Sequence, residues 1–171
     1  MKKSLIIILT CFMVSLLITP AFAAPGDITS MNVAIKEMQV YNETTNQWVT
    51  IYSTGAPTTL DIVNTNLFSS TTINLPAGHY TYLLITQNPA MSWTAETTTG
   101  IVNKNVDKSS DGTPSFNNNT GYGMSGGHYM KAGYVNFTIT PNTTRLNIKF
   151  GATVNSTTGA LNQPVFQVQS Y

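Results

Sequence analysis

In the segment Tyr134-Val135-Asn136-Phe137-Thr138-Ile139-Thr140-Pro141-Asn142-Thr143-Thr144-Arg145-Leu146-Asn147-Ile148-Lys149, apolar and polar side chains alternate one for one on either side of Pro141–Thr144. Val135, Phe137 and Ile139 fall on one parity, and Leu146 and Ile148 repeat the pattern after the break. A period of two places alternate side chains on opposite faces of an extended strand, so each run has one buried and one wet face. Pro141 cannot donate to a ladder and stops the first run. The four residues Pro141–Thr144 have the length of a hairpin connection. The expectation is an antiparallel hairpin from Tyr134 to Phe150.

Outward from this segment the same period recurs, and no stretch of the chain beyond the first two dozen residues carries a sustained 3.6-residue apolar repeat with caps. From Asn32 to Tyr41, Val33 and Ile35 share one parity while Met38 and Val40 share the other. A slip near Lys36-Glu37 predicts a β-bulge, because one extra residue re-aims every later side chain. Trp48–Tyr52 and Tyr80–Ile85 are apolar on both parities and read as central strands. Further strands are expected at Thr59–Val63, Thr71–Leu75, Met91–Val102 and Pro164–Ser170. The predicted class is all-β: an antiparallel β-sandwich, transthyretin- or immunoglobulin-like, with about 8–9 strands.

Residues 103–133 break the pattern. Ser, Asp, Gly, Asn and Pro predominate, and Gly121, Gly123, Gly126, Gly127 and Gly133 fall close together. This span reads as a long loop, the first place to look for a site.

The chain begins Met1-Lys2-Lys3-Ser4, continues with an uncharged apolar run from Leu5 to Ile18, and reaches Ala21-Phe22-Ala23. Basic start, short apolar run and A-x-A exit are the parts of a secretory signal peptide, and the run is too short for a membrane-spanning anchor. Cleavage is expected after Ala23, leaving residues 24–171 as a single domain and placing the protein in the periplasm or at the cell surface. Cys11, the one cysteine, lies inside the signal and lacks the small residue that precedes a lipidated cysteine. The mature chain therefore has no disulfide and no thiolate, and it depends on a buried core.

Removing Lys2 and Lys3 from eight basic residues leaves six, against seven acids. Such a sparse, near-neutral charge suits neither nucleic acid nor an anionic membrane surface.

Three pieces follow one another in the first half of the mature chain: Val33–Val40, then Trp48-Val49-Thr50-Ile51 with Leu60-Asp61-Ile62-Val63, then Leu75-Pro76-Ala77-Gly78-His79-Tyr80. They resemble an uncharacterised family of exported bacterial and archaeal β-sandwich domains with a W-x-x-L, D-L-L and L-P-A-G-x-Y pattern. The resemblance implies a transthyretin-like sandwich on an exported protein and carries no activity with it. Physically, Pro76 ends one strand, Gly78 permits a positive φ, and Tyr80 starts the next strand with a large ring for the core.

Few residues suggest chemistry. Two histidines and seven scattered acids supply no triad or acid–base pair, so no catalytic residue and no cofactor is assigned. Met124, His128 and Met130 join two thioethers and an imidazole, ligands suited to Cu(I), but a fourth ligand is missing. Asp107 and Asp111 fall short of a calcium loop. Phe116, Tyr122 and Tyr129, in the glycine-rich span, are the candidate binding surface, while Trp93 and Tyr134 fit strands. The expected function is a non-enzymatic exported module that binds a protein or glycan at the cell surface or assembles with itself. The alternatives are a periplasmic copper carrier using the Met/His cluster and a small outer-membrane β-barrel. The barrel fits less well, because Gln167 and Gln169 share the parity of Tyr171 while Phe166 and Val168 oppose it.

Overall fold

The structure is a computed structural model and describes residues 23–71, 74–110, 122–162 and 165–171. Residues 1–22, which hold Cys11 and all but the last residue of the expected signal peptide, and Phe116 and Asp111 in the glycine-rich span, lie outside the described residues. The chain is all-β, and the described residues form nine strands in two antiparallel sheets. These are β1 (Ile28–Asn42), β2 (Gln47–Asp61), β3 (Phe68–Ser70), β4 (Gly78–Thr97), β5 (Gly100–Asp107), β6 (Tyr122–Ser125), β7 (His128–Ile139), β8 (Leu146–Gly151) and β9 (Val165–Ser170). The larger sheet runs β2-β1-β4-β7-β6, with β5 also on β4, and the smaller runs β3-β8-β9.

The β1 bulge is where the change of parity puts it, with register shifts between Ile35 and Glu37 against both neighbours. It lets Met31, Val33 and Ile35 before it, and Met38 and Val40 after it, all point into the core. A second irregularity shapes the molecule. Strand β4 pairs with β7 along Gly78–Gln87 and with β5 along Ala90–Thr97, leaving Asn88 and Pro89 between the two ladders. Opposite them β1 also slips, from Ile35↔Gln87 to Val33↔Met91. Proline has no N–H to give a ladder, so it sits where neither neighbour asks for one. The large sheet therefore splits at Pro89 into a β7-β6 branch and a β5 branch.

The sheets share one core. Tyr80, Leu83, Ile35 and Val40 of the large sheet and Leu146 and Ile148 of the small one are 0% exposed and belong to one cluster. The L-P-A-G-x-Y segment locks one end of it. The Tyr80 ring stacks on Phe137, centroids 5.0 Å apart, and its hydroxyl donates to the Pro76 carbonyl at 2.7 Å. A Cβ on Gly78 would lie 2.7 Å from the Asn42 amide, so this glycine is required for room. Its φ of 156° lies close to the extended range, so space matters here more than a left-handed turn.

Five expectations are corrected. Strands β7 and β8 both exist, but they form no hairpin: β7 pairs with β4 and β6, and β8 pairs with β3 and β9. Residues Pro141–Thr144 cross from one sheet to the other, in a turn held by the Thr143 N–H on the Thr140 carbonyl at 3.0 Å. Trp48–Tyr52 is not central: with Thr59–Asp61 it belongs to β2, the edge strand, and Trp48 is 41% exposed. The span 103–133 is not one loop, because it holds the end of β5, a 3-10 turn at Lys108–Ser110, β6 and the start of β7. Met91–Val102 is two strands joined by a turn, and β3 lies at Phe68–Ser70, before the predicted Thr71–Leu75.

Candidate functional site

A three-stranded sheet cannot cover a six-stranded one. Where the large sheet splits, the space between the layers is left as a cleft of about 800 Å³. Its floor is apolar: Met31, Val33 and Ile35 from β1, and Ile85 from β4. Phe150 and Phe166 of the small sheet face each other edge-on at 5.8 Å and form one wall. Trp93 and Leu161 form another. The Trp93 indole N–H donates to the Gly159 carbonyl at 3.0 Å, tying the 152–162 segment over β5. Gly159 has φ +67°, and a Cβ there would meet the Val102 side chain at 2.5 Å.

Polar groups enter through the pleat. On β5, Val102, Lys104 and Val106 share the inward parity, so Lys104, opposite Trp93, lies in an apolar row. On β7, Lys131 stands opposite Ile85 and faces inward between Tyr129 and Gly133. Burial pushes the Lys131 ammonium below its ordinary value. Its Nζ lies 5.4 Å from the centroid of the Tyr122 ring, a cation–π contact. Lys108 reaches the mouth from the 3-10 turn. Three of the six Lys and Arg residues after position 23 thus line one cleft, and no Asp or Glu lines it among the described residues.

Of the residues chosen from sequence, Tyr122 and Tyr129 belong to this cleft, on β6 and β7. The Met/His cluster is divided. Pairing Met124↔Tyr129 and Ser125↔His128 places Met124 on the same face as Tyr129, and His128 with Met130 on the opposite face. The His128 Nδ1 is engaged with the Gly126 carbonyl at 2.9 Å. Asp107 closes a local turn, its Oδ1 accepting the Ser109 N–H at 2.8 Å. Trp93 is core, whereas Tyr134 is 63% exposed on the outer face.

Lys104 and Lys131 escaped the sequence reading, although their signal is present: Val102-x-Lys104-x-Val106 puts a lysine on the apolar parity of a strand. Two other groups of polar residues are built but lie outside the cleft. Asp61 Oδ1 accepts the backbone N–H groups of Met31, Val63 and Asn64, and Oδ2 accepts the Asn64 amide at 2.7 Å. Partial burial pushes this carboxyl up, and those hydrogen bonds outweigh it and hold it below the usual carboxylate value. His79 bridges Asn136 Oδ1 at 2.9 Å and Glu43 Oε2 at 3.0 Å on the outer face. Comparison with known families, curated proteins and solved structures finds no match to this chain.

Proposed function

We propose that the protein is a non-enzymatic exported binding module whose ligand lies in the cleft between its two sheets. The ligand is an amphiphile with an apolar body and one acidic group. The observation that carries this reading is the pair of inward-facing lysines, Lys104 and Lys131, above a floor of Met31, Val33, Ile35 and Ile85. Holding an ammonium against apolar surface costs free energy unless an anion accompanies it. A carboxylate or sulfate beside either lysine would restore that balance there while its hydrocarbon lies along the floor. The cleft volume falls within the range of small-molecule sites, roughly 300–1,000 Å³.

The module reading is also supported over a barrel by strand order. Strands β2 and β6 end the large sheet and do not pair with each other, whereas a spanning barrel needs a closed ladder.

Calorimetric titration with dodecanoate, dodecanol and dodecylamine tests the proposal. Dodecanoate should bind, the amine should not, and Lys104→Met with Lys131→Met should weaken dodecanoate at least about tenfold while sparing the alcohol. Equal binding of acid and amine, or no binding of any of the three, would discard the proposed ligand class.

A further inference from the structure

The outer face of the large sheet carries a line of aromatic side chains that the cleft does not use. Ladder partners place Trp48 of β2 beside Tyr41 of β1, Tyr41 beside Tyr82 of β4, and Tyr82 beside Tyr134 of β7. Directly paired residues of antiparallel strands share a face, so the four rings form one cross-strand row. With strands about 4.8 Å apart, the row is roughly 14 Å long. Trp48, Tyr82 and Tyr134 are 41%, 45% and 63% exposed. Exposing three large rings side by side forgoes burial that each would otherwise gain, and such a patch marks an interaction surface.

The neighbours of the row define what it fits. On one side Gln39 donates to Thr50 Oγ1 at 3.3 Å, and Thr50 donates to Glu37 Oε1 at 3.2 Å. On the other side stand His79, Glu43 and Asn136, joined by hydrogen bonds. The row is thus a strip of aromatic rings one residue deep between two polar borders. Such a strip is far smaller than the roughly 800 Å² per partner of a stable protein interface. The acidic side chains bordering the row are Glu37 and Glu43, His79 is engaged with Glu43, and neither border includes a lysine or arginine, so a polyanion is disfavoured. Aromatic faces attract the partly positive C–H faces of pyranose rings, and the bordering amides and hydroxyls match sugar hydroxyls.

We infer that this row is a binding site for a neutral polysaccharide chain, separate from the cleft. The rings also select the form of the chain. Tyr41 and Trp48 are inclined at 58° with centroids 5.3 Å apart, and Tyr82 and Tyr134 at 85° with centroids 6.0 Å apart. No flat crystalline surface can rest on rings so tilted, whereas a single twisting chain presents successive sugars at different angles.

Native affinity electrophoresis of the protein in gels containing xyloglucan, galactomannan or mixed-linkage glucan tests the site, with polygalacturonate as the anionic control. At least one neutral polysaccharide should retard the protein and the control should not. Trp48→Ala and Tyr82→Ala should each weaken that retardation about tenfold while still unfolding cooperatively well above the temperature of the gel. Retardation by none of the neutral polymers, or retardation of both variants equal to that of the parent protein, would overturn the inference. So would a concentration-dependent dimer that Trp48→Ala dissolves, which would assign the row to a second copy of the chain.

Discussion

The ring of Phe166 on β9 lies directly against the backbone of Gly133 on β7, in the position that a Cβ on that glycine would occupy. This contact brings the last strand of the small sheet onto the large one beside the cleft, and it depends on a missing side chain. Gly133→Ala should therefore destabilise by about 1–3 kcal/mol through overpacking. Gly55→Ala, where nothing lies within 4 Å of the added carbon, should change stability by less than about 0.5 kcal/mol. Urea unfolding of both variants checks the contrast, and recovery of Gly133→Ala by Phe166→Ala would locate the clash in this pair.

Tyr80 and Trp48 should respond in opposite ways to truncation. Tyr80 is 0% exposed and stacked on Phe137, so Tyr80→Ala should cost about 3–5 kcal/mol. Tyr80→Phe keeps the stack and loses only the bond to Pro76, at about 1 kcal/mol. Trp48 on the edge strand keeps one ring contact, with Tyr41, and its removal should cost no more than about 1.5 kcal/mol. Chemical denaturation ranks the three.

His79 sets a pH dependence on the outer face. Both ring nitrogens face oxygen acceptors, Asn136 first and Glu43 second, and together they hold its pKa above the ordinary 6.5. A raised folded pKa means that the contribution is full below pH 6.5 and is lost as pH rises through the folded value. NMR titration should give a His79 pKa above 6.5, and Asn136→Ala should bring it down. A value at or under 6.5 in the parent protein would contradict the bridge.

Replacing Ser109–Lys131 with a short Gly-Ser linker should abolish cooperative folding. The replacement removes β6 together with Tyr129, Met130 and Lys131, which pair with Gln87, Thr86 and Ile85 in the centre of the large sheet. A thermal melt that kept the parent midpoint would show that this branch is dispensable.

Alternation in the sequence was enough to establish strands, their faces and the β1 bulge, because the pleat alone converts a period of two into an inside and an outside. Val33, Ile35, Met38 and Val40 reveal the bulge without any knowledge of a neighbour. Pairing was not legible in the same way. Val135, Phe137 and Ile139 bury equally well whether Leu146 and Ile148 lie beside them in one ladder or across the core in another sheet, so the pattern that suggests a hairpin also permits the crossover observed. Trp48 was misplaced for a related reason: an aromatic-rich strand looks the same at a sheet edge as at its centre, and the choice is made by which backbone groups find partners. The glycine-rich span hid β6 because Tyr122–Ser125 is a strand only through its hydrogen bonds to His128–Lys131. The two proposed binding surfaces belong wholly to this second kind of information. Lys104 and Lys131 lie 27 residues apart, and Trp48, Tyr41, Tyr82 and Tyr134 come from four strands. Only the register of β1 with β2, and of β4 with β1, β5 and β7, brings them together, and no local propensity encodes it.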